Sequence, residues 1–502
     1  KTLIQSQKLY EEYVSHMQRI ADVKYSLAVL QWDQETYMPV KGAASRARQT
    51  ATLSEWAHQL FTQESFKNLL QELNSRTDLD ADQQKNVALS WYDYSQQEKL
   101  SASFVRTMSE LVSKSYHSWI AARKQNSFGV FAPDLAQLVA LKKEEAGLLG
   151  YEAHPYNALL NQYERGATVA LLDRVFGQLQ APLKELLANI GAQPQVDDSF
   201  LRQPYPKDQQ WKFGMEVLRE MGFDFEAGRQ DISEHPFTTN FSSRDVRVTT
   251  RINESDFTSM TWSCIHEGGH ALYEQGLPEA AYGLPLGEFT SLSIHESQSR
   301  LWENNVGRSI DGWHHLYPLA QLHFPAQLGP VALADFYKAI NRVQPSLVRT
   351  EADELTYHFH VLIRYELEKK LIEGNLAVGD IPAWWNSRYQ ALLGVTPPDD
   401  LHGCLQDVHW SHGSFGYFPT YSLGSFYAAQ FFHAAGQQVP GLAEEIRKGN
   451  YKPLLDWLRI NIHAHGRKWL SEELCERITG TPLDIQHFLQ YARAKYKAIY
   501  QF

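Results

Sequence analysis

The chain has 502 residues, 43% of them hydrophobic and 12% aromatic, which is enough to bury a large core. Lys and Arg number 47 against 58 Asp and Glu, a net charge of −11 that excludes a nucleic-acid partner requiring a basic face. Cys264, Cys404 and Cys475 are too few and too scattered for a disulfide framework and fit a reducing, cytoplasmic compartment, and no apolar run approaches the roughly 18 residues of a membrane span.

From Leu3 to Leu30 the apolar residues Leu3, Tyr10, Val14, Met17, Ala21 and Ala28 recur at helical spacing, so the chain begins on a long amphipathic helix. A break at Pro39 to Gly42 precedes a second helix over 43–60, and residues 82–124 read as another long helical run. The charge run Lys142-Lys-Glu-Glu145 reads as a solvated helix face. Length alone favours two or three domains, yet the only linker-like stretch is 191–199 with its sequel to Pro206. The expectation is therefore one domain over 1–502, with the N-terminal helices to about residue 125 as a separately moving, lid-like part.

Helical pattern continues over 169–190 and 207–221, and then the period changes. Phe237, Thr239 and Phe241, and after them Val246, Val248, Thr250 and Ile252, alternate around Ser242-Ser-Arg-Asp245, the pattern of a β-hairpin. Such a sheet would either add an extended peptide as a further strand or buttress the next helix. That helix carries His266-Glu267-Gly-Gly-His270. Two imidazoles at i and i+4 share one helix face and can hold one zinc ion, with the carboxylate between them reaching the ion's water as a general base. Gly268 and Gly269 each cost a helix about 1 kcal/mol, so a backbone or a substrate should approach there. Cys264, two residues before His266, points to another side of the helix and is the weaker ligand candidate. A third ligand must come from the next helical segment, where Glu288, Glu296 and Glu303 fall near one face and His295 is a fourth possibility. Spacing alone leaves these open.

Several blocks in order resemble the carboxypeptidase Taq family of metallocarboxypeptidases: Asp245-Val-Arg247-Val-Thr249, His266-Glu-Gly-Gly-His270, His295-Glu-Ser-Gln-Ser-Arg300, Val348-Arg349-Thr-Glu-Ala-Asp353 and Gly403-Cys-Leu-Gln406-Asp-Val-His409-Trp410. Leu30-Gln-Trp-Asp-Gln-Glu35 and the stretch from Phe415 to Gly424 are similar to family segments as well. The resemblance implies a mainly α fold with a small β-sheet beside a deep active-site groove, and commonly a homodimer. It makes His266, His270 and Glu296 the metal ligands and Glu267 the general base. The activity it implies is release of C-terminal amino acids from peptides with a free C-terminus, with zinc as cofactor and cobalt able to substitute.

An exopeptidase needs a fixed cation for the substrate's terminal carboxylate, and the planar fork of Arg suits it. Arg349 is the first choice and Arg247 the next, while Arg300 pairs by spacing with Glu296. His409 and Tyr421 stand in blocks rich in aromatic residues and glycine and are the candidate donors to the oxyanion. The rival readings are a zinc endo- or oligopeptidase sharing the same metal and base, and a non-catalytic peptide-binding scaffold.

Overall fold

The computed structural model describes residues 2–502. Helix accounts for 70% of the chain, and one three-stranded sheet supplies the strands among the described residues, so the mainly α expectation with a small sheet is met. The chain forms two compact units, each made of three segments: Lys1–Gln97, Asp197–Ile340 and Phe431–Pro482 in the first, and Glu98–Val196, Asn341–Gln430 and Leu483–Phe502 in the second. The linker-like stretch after residue 191 carries one of the passages between them. The division does not follow the expected boundary near residue 125, because helix Ala81–Glu98 closes one segment and helix Ala102–Gln125 belongs to the next. Between those helices Ser101 accepts the Phe104 amide at 3.1 Å, a start signal that splits the single run read over 82–124.

In the first unit the N-terminal helix runs Thr2–Thr36, past the end read at Leu30. It buries Tyr10, Tyr13, Met17 and Ile20, at steps of three and four, against Leu60, Phe61, Phe66 and Leu70. Leu3, by contrast, is 54% exposed: the apolar stripe starts at Tyr10, about two turns later than its pattern suggests. The sheet has the order β1 (Gly228–Ile232), β3 (Asp245–Thr250), β2 (Thr238–Ser242). β2 and β3 form the expected antiparallel pair, with Thr239 opposite Arg247 and an irregularity at Asn240/Ser242. β1, parallel to β3, was not expected, since Gly228-Arg-Gln-Asp-Ile232 has one aliphatic side chain and no alternation.

The second unit is organised on helix Tyr357–Glu373, which is buried nearly all round. Its polar residues are accordingly paired. His358 Nδ1 meets Ser422 Oγ at 2.9 Å, His360 Nδ1 meets the Tyr389 hydroxyl at 2.7 Å, and Glu368 accepts from Tyr156 and Trp410. Lys142 and Glu145 correct the solvated-face reading of their run. They are 5% and 6% exposed and form an ion pair at 2.8 Å, while their neighbours Lys143 and Glu144 face water. Alternate pairs of one charge run thus lie on opposite sides of the helix.

Candidate active site

Helix Phe257–Gly276 carries the two-histidine motif, and its first turn is fixed twice. Asp256 accepts the Thr258 amide at 2.9 Å, and Phe257 sits among the rings of Tyr205, Phe213, Trp313 and Phe324. The indoles of Trp262 and Trp313 both donate to the Gly307 carbonyl, at 3.1 and 2.6 Å, tying the helix to the chain beyond the next ligand-bearing segment. Gly269 has the reason expected of it, a close backbone, whereas Gly268 instead makes room for the side chains of Leu218 and Met221. A Cβ on Gly269 would lie 2.7 Å from the Gln298 carbonyl oxygen and 2.8 Å from Ser299 Cα, so helix Leu292–Arg300 crosses there backbone against backbone. Its Ser291 cap accepts the Ile294 amide at 3.1 Å, and a π-helical turn, Leu301–Val306, continues it.

This crossing brings one ligand atom each from His266, His270 and Glu296 within 4.8 Å of one another, a grouping that no other described histidine, cysteine or acid matches. Glu296 Oε1 lies 3.9 Å from His266 Nε2, and its Oε2 lies 3.5 Å from His270 Nε2. Both imidazoles turn Nδ1 the other way, His266 toward Glu303 Oε2 at 3.2 Å and His270 toward His295 Nδ1 at 2.6 Å. Arg300 Nε donates to Glu296 Oε1 and its Nη1 to Glu303 Oε2, both at 2.8 Å, so the i,i+4 pairing read from spacing is present. Of the four candidates for the third position, Glu296 completes the group, and Glu303 and His295 back the two imidazoles. Glu288 precedes the helix and faces Arg467 at 3.5 Å.

The electrostatics match. Burial opposes a charge on His266, but Glu303 and Glu296 outweigh it and lift its pKa to about 9. Burial likewise works against the Glu296 carboxylate, and His266 and Arg300 override it and hold its pKa well below the usual range. The site therefore stabilises positive charge where the three donors meet. His270 is lowered, by burial first and then by His295 and His266. Glu267 is 9% exposed, and the Thr238 hydroxyl on β2 donates to its Oε2 and, at 3.0 Å, to its main-chain carbonyl. β3 also meets the helix, Thr250 Oγ1 donating to Ser263 Oγ at 3.2 Å. The Cys264 thiol points away, donating to Gln230 at 3.1 Å, and burial pushes its pKa up to about 12, the opposite of what a thiolate ligand needs.

Arg349, His409 and Tyr421 belong to the second unit. Arg349 is 8% exposed; its Nε donates to Asp407 Oδ1 and its Nη1 to the Tyr357 hydroxyl, both at 3.1 Å, and the guanidinium lies over the rings of Tyr421 and Phe418. Asp407 also accepts from Arg364 at 2.7 Å. Two guanidiniums thus share one carboxylate, and Glu368, another buried acid of this unit, is occupied by Tyr156, Trp410 and the Gly416 amide. His409 adds no charge at neutral pH: burial lowers its pKa to about 4, with Arg349 and Arg364 acting in the same sense against Asp407. Its Nε2 lies 3.3 Å from the Tyr421 hydroxyl, so the two oxyanion candidates are neighbours. Arg247, in the first unit, is matched one to one by Asp245 at 2.9 and 3.1 Å and stacks on Trp32. Sequence reasoning missed Thr238, Glu274, Tyr357, Arg364 and Asp407. Only Asp407, inside a quoted block two residues before His409, carried any signal.

A mostly helical chain in which two imidazoles and a carboxylate converge beside a buried glutamate has the arrangement of a metallopeptidase. Residues 12–496 match the family described as Carboxypeptidase Taq (M32) metallopeptidase. Thermostable carboxypeptidase 1 of Thermus thermophilus is 41% identical over 487 residues, covering 94% of this chain and 95% of the relative. Carboxypeptidase 1 of Bacillus subtilis is 37% identical over 492 residues, 98% of each. The solved M32 carboxypeptidase from Deinococcus radiodurans R1 superposes with a TM-score of 0.97 at 39% identity, over 99% of this chain and 100% of that one. The chain belongs to the M32 family of metallocarboxypeptidases.

Proposed function

We propose that this chain is a zinc carboxypeptidase that releases amino acids of many side-chain types from peptides with a free C-terminus. The observation that carries the reading is the convergence of His266, His270 and Glu296 with Glu267 one residue along the same helix. Two imidazole nitrogens and one carboxylate oxygen suit zinc, and cobalt would be accepted by the same donors. When bound, the ion supplies Lewis-acid polarisation of the scissile carbonyl and lowers the pKa of its water from 15.7 toward roughly 7. Glu267 takes the proton of the attacking water and delivers it to the departing amine, held in one rotamer by the Thr238 hydroxyl.

Arg349 takes the terminal carboxylate of the substrate. Two guanidiniums against the single Asp407 leave one positive charge in direct contact, whereas the Arg247–Asp245 pair leaves none. His409 and Tyr421 are the donors to the developing oxyanion. We also assign a homodimer and a cytoplasmic location. The first rests on family resemblance. The second is supported by three free, buried cysteines; among the described residues no helix is long and apolar enough to cross a membrane.

Mass analysis of products from unblocked peptides, with and without a chelator, tests the assignment. Ladders of peptides shortened from the C-terminus, lost on chelation and restored by zinc or cobalt, are expected. Internal cleavage that persists on C-terminally amidated peptides would instead establish the endopeptidase.

A further inference from the structure

We propose that Glu274 and His295 are positioning residues for His270: they form a hydrogen-bonded chain that fixes the His270 tautomer and so presents its Nε2 lone pair to the metal. This rests on His266, His270 and Glu296 being the ligands. Residues 266, 270 and 274 are one turn apart on the same helix, so the face carrying both imidazoles continues to a carboxylate. His295, from the crossing helix, inserts between the last two. Its Nδ1 lies 2.6 Å from His270 Nδ1 and its Nε2 lies 2.7 Å from Glu274 Oε1. The rings of Tyr273 and Phe289, each 4.9 Å away between centroids, hold it in that orientation.

The direction of the chain follows from what each atom can do. An ionised carboxylate only accepts, so His295 Nε2 carries a hydrogen. In neutral His295, Nδ1 is then the acceptor, and the short nitrogen–nitrogen contact requires His270 Nδ1 to donate. His270 Nε2 consequently bears no hydrogen, and this is the atom that faces Glu296 at 3.5 Å. The reverse chain needs a second proton on His295 and places a hydrogen on His270 Nε2, which removes it as a ligand. His266 is oriented in one step, by Glu303 at 3.2 Å, and His270 in two. Glu274 is 6% exposed, yet it forms part of the wall of a cavity of about 270 Å³ shared with Tyr25, Asn240 and Glu288, so a small anion from solvent can reach its place.

The test is zinc affinity, measured on the intact protein by competition with a chromophoric chelator, alongside the melting temperature of the metal-free form. Glu274→Ala and His295→Leu should each weaken zinc binding about 10- to 100-fold with little change in apo melting temperature. The double variant should lose no more than the larger single loss. Glu274→Gln, which keeps an acceptor without the charge, should fall in between, and formate should partly restore affinity to Glu274→Ala. Affinities within twofold of wild type, or losses that multiply in the double variant, would overturn the proposal. If the alanine variant does not fold, Glu274→Gln decides alone, with wild-type affinity counting against the chain. A wild-type protein that binds no zinc would sink the ligand assignment instead, a different failure.

Discussion

Replacing Arg349 by alanine separates the carboxylate-binding role from a structural one. The substitution removes two donor contacts at 3.1 Å, to Asp407 and Tyr357, but Asp407 keeps Arg364 at 2.7 Å and is not orphaned. Folding should therefore survive, each lost hydrogen bond to the charged group costing about 1.5–3 kcal/mol. The direct charge balance of the cluster falls from +1 to zero, and an incoming carboxylate meets no unmatched cation. Losing one partner of such a desolvated pair costs roughly 2–5 kcal/mol, or about 30-fold to several thousandfold in kcat/KM. The assay pairs each free-acid peptide with its C-terminal amide and records kcat/KM for both at fixed metal loading. The free acid should lose at least 30-fold, on the order of the lower bound above, while any residual turnover of the amide changes little. Arg349→Lys, which keeps charge without the planar fork, should lie between. Equal losses on acid and amide would refute the role and send the search to Arg247.

Glu267→Gln should retain zinc and peptide binding while turnover drops by several orders of magnitude, and Thr238→Val, which removes the hydroxyl donor to Glu267, should lower kcat about tenfold; normal turnover in the first would assign the proton to another group. Gly269→Ala should lower both the melting temperature and zinc affinity, because its methyl must displace the Gln298–Ser299 backbone by an ångström-scale shift that carries Glu296 with it. Calorimetry and chelator competition on the same sample check this. His409 gives a pH prediction with a definite sign. Its pKa falls from 6.5 in the unfolded chain to about 4 on folding, so keeping it neutral costs nothing above pH 6.5, and stability is lost as pH falls from there toward 4. The melting temperature of His409→Gln should gain on wild type across that window. Light scattering should give twice the 57.5 kDa chain mass, and a monomer at micromolar concentration would refute the dimer.

What was legible in the sequence was local. Helical periods, the 237–252 hairpin and the two-histidine motif each depend on residues within a few turns of one another, and each was found. The family resemblance named Glu296, but spacing left open the choice among Glu288, Glu296 and Glu303. That choice is made by the backbone crossing at Gly269, which sets how the second helix is rotated against the first. β1 escaped because a strand paired through its backbone to β3 needs no apolar alternation of its own. The role of Asp407 is set by Arg349 and Arg364, which converge on it from two other parts of the chain. Lys142 and Glu145 pair with each other three residues apart, but what draws that pair inward, including Gln162, which donates to Glu145 at 2.8 Å, lies outside the local window.

The three-segment make-up of each unit also governs when the protein can become active during its synthesis. The ligand-bearing helices are complete by residue 306, but Gln298 is held at 2.8 Å by His463, whose ring also packs against Gly276 and Tyr273. A nascent chain therefore carries its whole ligand set, unsupported, for more than 150 further residues, about 10–30 seconds of translation at 5–20 residues per second. The contact that His463 makes with Gln298 cannot form until the first unit's last segment, Phe431–Pro482, has left the ribosome. For the same reason, no truncation after the histidine motif should yield a working minimal enzyme.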